Sequence, residues 1–224
     1  MNTPNRITMV RLIAALLMIV IYSLSFLPGA TSSFASDLVI GGFHLGFSWI
    51  DLTCFLIFIL GSITDAIDGH IARSRGLVTD LGKFLDPLAD KFLVDSALIL
   101  LCSRIDWHGH FQVLPLFTVF FIGRDLAMDG LRMIANGKGK VLAANIWGKF
   151  KTAMQMTIIP ILFLKGFPFS LLNVTGGLDS WMTSRWEYTY LVTNILVLIT
   201  LFFSLLSMVI YFIRNKDVLK EEKR

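Results

Sequence analysis

Hydrophobic positions along this chain gather into long runs, at residues 8 to 28, 43 to 64, 86 to 103, 111 to 130, 144 to 165 and 188 to 213, with short polar stretches between them. Each run can reach the roughly 20 residues that an α-helix needs to cross a hydrocarbon layer. The pattern predicts an all-α bundle of six transmembrane helices, of which the last, Tyr188 to Ile213, is free of charge throughout. The stretch from Pro28 to Gly42 is rich in glycine and serine, and that from Gly166 to Trp186 holds the turn formers Asn173, Gly176 and Gly177. Both read as outer connections. No repeat, low-complexity tract or Pro-rich linker divides the chain, so residues 1–224 are expected to form one membrane domain.

Composition agrees, with 55% hydrophobic residues, 16% charged residues and a mean hydropathy of +0.70, outside the range of soluble domains. The net charge of +4 matters less than its distribution. In a six-span chain the N-terminus, the segments near 65–91 and 124–151 and the tail share one side and hold 17 of the 20 Lys and Arg, leaving Arg104, Lys165 and Arg185 on the other. The positive-inside rule makes the first side cytoplasmic, with both termini. The tail from Arg214 to Arg224 reads as a solvated basic segment with some attraction to anionic membrane lipid, and no nucleic-acid partner is expected. Cys54 and Cys102 lie in or beside apolar runs and read as packing residues.

Charges intrude into two runs. The fourth has thirteen uncharged residues, Phe111 to Gly123, before Arg124, Asp125, Asp129 and Arg132, and the fifth carries Lys149 and Lys151 near its inner end. At membrane depth such groups should face the bundle interior or a wet cavity.

The densest chemistry lies between residues 65 and 90, in the order D-x-x-D-G-x-x-A-R-x8-G-x-x-x-D-x-x-x-D. An Asp at the centre of a membrane helix costs roughly 2.5 to 3.5 kcal/mol, so its four aspartates require compensation. On helices Asp65, Asp68 and Ala72 share one face, and Gly82, Asp86 and Asp90 share another. Residues 74 to 78, with Gly76, can form the turn that sets the two stripes opposite each other. Pro87 suggests a helix that begins near Thr79 and bends. Carboxylates are hard ligands, and two divalent cations would neutralise four of them. Gly69, Ala72 and Gly82 would let a planar group or a pyrophosphate approach the backbone, and Arg73 can fork onto phosphate oxygens. Taken singly, the same features suit a cation- or proton-coupled transporter or plain helix packing.

With all eight positions together, the stretch Asp65 to Asp90 resembles the signature of the CDP-alcohol phosphatidyltransferases at every defined position. The resemblance implies a six-helix, usually homodimeric membrane fold with a polar active-site cavity at the cytoplasmic side. Such a protein moves a phosphatidyl group from CDP-diacylglycerol to an alcohol, releases CMP and uses two divalent cations, Mg2+ or Mn2+. Carried over by position, Asp65, Asp68 and Asp86 would hold the metals, and Asp90 would act as general base and touch the second metal. Gly69, Arg73 and Thr79, with the small residues Ala72 and Gly82, would border the CDP moiety.

Outside the motif the chain is most similar to the bacterial phosphatidylglycerophosphate synthases of that family, which implies a bacterial cytoplasmic membrane and glycerol 3-phosphate as acceptor. The likeness begins at Pro4 to Arg11, where Asn5, Thr8 and Arg11 match a polar entry to the first span near the nucleotide, so this span is expected to be retained rather than cleaved as a signal peptide. It continues through Phe84 to Lys91, Gly123 to Arg132 and Gly148 to Thr152. Gly123 and Asp125 depart from an A-R-E pattern common in such synthases, which leaves the role of Asp125 open, as is that of Asp95. A phosphorylated acceptor requires cations, and Arg124, Arg132, Lys149 and Lys151 lie on the required side. Other acceptors within the family would be inositol phosphate or phosphatidylglycerol.

Overall fold

The tetrapeptide Ser48-Trp49-Ile50-Asp51 illustrates how the chain sets its own boundaries. The Ser48 N–H donates to Asp51 Oδ2 at 2.9 Å, and the Asp51 N–H donates to Ser48 Oγ at 3.3 Å. This reciprocal cap satisfies two backbone donors at the start of a helix, and Asp51, fully buried, also complements the helix dipole there.

The computed structural model describes the backbone of residues 3–24, 37–40, 43–75, 80–103, 113–140, 142, 146–165 and 182–218. Side chains are described for the same residues except 3–7, 37, 39–40, 43–46, 65–75, 80–84, 86 and 182–191. The elements are α1 (Thr3–Leu24), β1 (Asp37–Ile40), β2 (Phe43–Ser48), α2 (Trp49–Arg75), α3 (Asp80–Cys102), α4 (Pro115–Gly137), α5 (Ile146–Phe163) and α6 (Met182–Arg214), followed by a 3-10 turn at Lys216–Val218.

Three expectations need correction. Residues 43–48 are not the start of a helix: β1 and β2 pair antiparallel, with Ile40 opposite Phe43 and Val39 opposite His44, so the fold is not wholly α-helical. The cause is local, because Gly41-Gly42 between two β-prone runs favours a hairpin and the Ser48 cap starts the helix only at Trp49. Nor is the tail wholly solvated, because Val218 is buried against Met128, Leu131, Ala135 and Tyr211. The connection expected up to Trp186 is also shorter, since α6 begins at Met182. α3 begins at Asp80 and runs through Pro87 as one helix.

Helix α4 opens with Pro115 after the extended residue Leu114, where proline's missing N–H costs nothing. It closes with Gly139 at φ 68° and the Lys140 N–H on the Ala135 carbonyl at 2.9 Å. α1 packs on α2 and α3, α5 on α2, α3 and α6, and α4 on α3 and α6. The core they enclose includes Met18, Phe58, Leu93, Leu101, Ile159 and Phe163, with the Phe58 and Phe163 rings 6.4 Å apart. α1 is thus part of the core, and Cys54 packs there as expected while Cys102 is half-buried; both are free thiols.

The outward faces are also apolar. Val10, Ile13 and Leu17 on α1, Leu116 and Val119 on α4, and Leu198 and Phe202 on α6 are all exposed. Val192–Arg214 of α6 is long and apolar enough to cross a membrane, and Thr8–Leu24 and Trp49–Thr64 are shorter apolar helices. The whole of α6, 33 residues, is about 50 Å long, well beyond the thickness of a hydrocarbon core.

Candidate active site

Gly61 and Leu93 lock α2 against α3. A Cβ at Gly61 would lie 2.8 Å from Leu93 Cδ2, so glycine is what permits the approach. With four residues between Arg75 and Asp80, the two helices form an antiparallel pair. Asp65 lies one turn beyond Gly61 on α2, and Asp90 lies one turn before Leu93 on α3. The side chains of Asp65, Asp68, Gly69, Ala72, Arg73, Gly82 and Asp86 lie outside the described residues, as do the side chain of Asn5 and the whole of Thr79. Thr8 and Arg11 on α1 are fully buried.

Asp90 opens onto a cavity of about 450 Å³ between α3, α4, α5 and α6. Arg124, Arg132, Lys149 and Lys151 line the same cavity, so the structure brings together five of the residues singled out from sequence. Five basic and three acidic side chains border it, Lys91, Asp125 and Asp129 being the remainder, which leaves a net charge of two positive.

The four cations are not equivalent. Arg124 and Lys151 are buried and joined by Asp125. The Arg124 Nη1 donates to Asp125 Oδ1 at 2.8 Å, and the Lys151 Nζ donates to Oδ1 at 2.9 Å and Oδ2 at 2.6 Å. The Arg124 Nη2 and Nε donate to Ser207 Oγ at 3.1 Å and the Ser204 carbonyl at 3.4 Å, tying α4 to α6. Arg124 is therefore committed to the scaffold, and Asp125, whose role the sequence left open, joins α4 to α5, with Arg124 carrying the link on to α6. The charges of the fourth and fifth runs thus face the bundle interior or a cavity, as expected, with Lys149 and Arg132 exposed at its border. Arg132 lies 3.9 Å from Asp129, which also pairs with Lys91. Lys149 has no ion-pair partner among the described residues. Asp95, half-buried on α3, does not line the cavity.

Lys91, Asp129, Gln155, Ser207 and Tyr211 also border the cavity and were not singled out as site residues. One signal was available for Gln155: an amide within an apolar run, one turn from Lys151, carries a desolvation cost that only a partner repays.

The sequence model of a family described as CDP-alcohol phosphatidyltransferase matches residues 1–206. A Bacillus subtilis protein named CDP-diacylglycerol--glycerol-3-phosphate 3-phosphatidyltransferase is 37% identical over 195 residues, covering 84% of this chain and 93% of its own. A Mycoplasma genitalium protein of the same name is 34% identical over 227 residues, covering 96% of this chain and 84% of its own. A rice protein named cardiolipin synthase (CMP-forming) is 36% identical over 168 residues, covering 66% of this chain and 51% of its own.

Proposed function

The chain belongs to the CDP-alcohol phosphatidyltransferase family, and we propose that it transfers the phosphatidyl group of CDP-diacylglycerol to glycerol 3-phosphate, giving phosphatidylglycerophosphate and CMP. The observation that carries the choice of acceptor is the shared cavity: Asp90 borders the same space as Lys149 and Arg132, and the lining is net positive by two. That charge matches a dianionic phosphate monoester better than the singly charged phosphodiester of phosphatidylglycerol. The latter is the second reading, favoured by the likeness to a cardiolipin synthase.

In this reading Asp65, Asp68, Asp86 and Asp90 would hold two divalent cations, Mg2+ or Mn2+, a reading supported by the short connection between α2 and α3 and their contact at Gly61 and Leu93. The donor set fits, since hard carboxylates on two adjoining helices suit hard cations. Ions held there would supply electrostatic stabilisation to the entering and leaving oxygens of an in-line displacement at phosphorus. Asp90 takes the proton from the 1-hydroxyl of glycerol 3-phosphate as that oxygen attacks the β-phosphorus. Arg73 forks onto the diphosphate, while Gly69, Ala72 and Gly82 leave room for it, and Asn5, Thr8, Arg11 and Thr79 border the nucleotide. Lys149 and Arg132 receive the acceptor phosphate; Arg124 and Lys151 act through Asp125 to hold that wall in place. Residues 1–224 work as one six-span domain, a homodimer with termini and cavity on the cytoplasmic side of a bacterial membrane, consistent with the outward apolar faces.

The test is purified protein with CDP-diacylglycerol and a panel of glycerol 3-phosphate, inositol phosphate, phosphatidylglycerol and no acceptor. The expected result is CMP release that requires Mg2+ or Mn2+ and glycerol 3-phosphate, with a lipid product of the mass of phosphatidylglycerophosphate. CMP release with phosphatidylglycerol instead selects the second reading, and no release with any acceptor removes both.

A further inference from the structure

Two uncharged polar groups on the cavity wall are left incomplete by the protein. Gln155 is 2% exposed and Tyr211 is 3% exposed, and neither the Gln155 Nε2 nor the Tyr211 hydroxyl has a hydrogen-bond partner among the described residues. Both residues line the cavity that Asp90, Lys149 and Arg132 share. Buried donors in folded proteins are almost always paired, so two orphans bordering one cavity mark where ligand atoms belong.

Both side chains are enclosed by the protein. Gln155 sits one turn along α5 from Lys151, which is anchored on Asp125. The Tyr211 ring is packed among Met128, Leu131, Ala135 and Val218, so the docked tail holds it in place. Donors fixed before a ligand arrives favour one that matches their positions.

The division of chemistry along the wall indicates which part of a ligand they meet. A polyol phosphate acceptor has a hydroxyl that attacks, a phosphate, and a hydroxyl that does neither. Asp90 suits the first and the cations suit the second, which leaves a neutral amide and a phenol for the third. We propose that Gln155 and Tyr211 form a hydroxyl-reading subsite that selects acceptors bearing a free hydroxyl between the attacking hydroxyl and the phosphate. This rests on the acceptor reading above and adds the determinant of specificity within it.

The experiment compares glycerol 3-phosphate with 3-hydroxypropyl phosphate, which keeps the attacking hydroxyl and the phosphate but lacks the middle hydroxyl. The readout is the ratio of the two kcat/KM values in the wild type, Gln155→Met, Tyr211→Phe and the double variant. Each ratio is internal to one preparation, so a partly folded variant does not distort it. The wild type is expected to prefer glycerol 3-phosphate at least about a hundredfold, because the analogue leaves both donors unpaired. Each single substitution should lower that ratio about tenfold, and the double variant should bring the two acceptors within roughly tenfold of each other. A wild type that uses both equally well overturns the subsite without recourse to any variant, as does an undiminished ratio in both single variants. Absence of CMP release from the wild type with glycerol 3-phosphate is a different failure, that of the acceptor reading itself.

Discussion

The two ends of the helix bundle are built from the same helices on opposite principles. On α3 the chain passes from Asp90 at the cavity to Leu93 in the apolar core, on α5 from Gln155 to Ile158, and on α4 and α6 the reverse, from Phe121 to Arg124 and from Leu201 to Ser204. Each change of character takes three residues, less than one helical turn. The apolar end is held by volume and contact, which many side chains can supply. The charged end is held by named partners, and a partner removed leaves a charge that has already lost its water. Stability at one end therefore depends on shape, and at the other on pairing.

The largest effect expected lies at the motif. Replacing Asp65, Asp68 or Asp86 by Ala should lower turnover by about a thousandfold or more, the loss expected when several kcal/mol of metal-assisted stabilisation goes, with thermal unfolding in detergent little changed. Asp90→Asn keeps the shape and removes the proton acceptor, so kcat should fall roughly a hundred- to ten-thousandfold while the CDP-diacylglycerol KM holds. A full-strength enzyme in chelator-sensitive assays of any of the first three would sink the ligand assignment.

Asp125→Ala tests the pairing principle directly. It leaves Arg124 and Lys151 buried without their shared carboxylate, at a cost of about 3 to 5 kcal/mol, and the midpoint of unfolding should drop accordingly. Its counterpart at the apolar end is Phe163→Leu, which alters the contact with Phe58 but keeps an apolar side chain. That change should cost less than about 1.5 kcal/mol, the usual range when volume is largely conserved. If the two variants unfold alike, the contrast between the ends is wrong.

Between these lies Lys149→Ala. A hydrogen bond to a charged group contributes roughly 1.5 to 3 kcal/mol, so glycerol 3-phosphate use should weaken about ten- to a hundredfold while stability stays within about 0.5 kcal/mol of the wild type. Steady-state kinetics with each substrate varied in turn checks this. A raised CDP-diacylglycerol KM with an unchanged acceptor KM would move Lys149 to the donor side.

Much of this could be seen in the chain itself. The apolar runs foretold each helix, because burial of twenty apolar residues outweighs any local preference, and the Asp65–Asp90 spacing carried the family because it is set by helical periodicity within one hairpin. The β-hairpin escapes a hydropathy reading because Phe43, Leu45 and Phe47 of its second strand lead directly into the apolar start of a helix, and only Gly41-Gly42 and the Ser48 cap mark the boundary. Arg124, Arg132, Lys149 and Lys151 were picked out as cations on one side, a property that charge and topology share. Only the tertiary structure decided which of them is held by Asp125 and which borders the cavity without an ion-pair partner among the described residues, that Val218 packs with Tyr211, and that Gln155 borders the same space as Asp90. The reason is that periodicity links residues three or four apart, whereas pairing across Asp125 and Lys151 spans 26 positions and depends on how separate helices settle against one another.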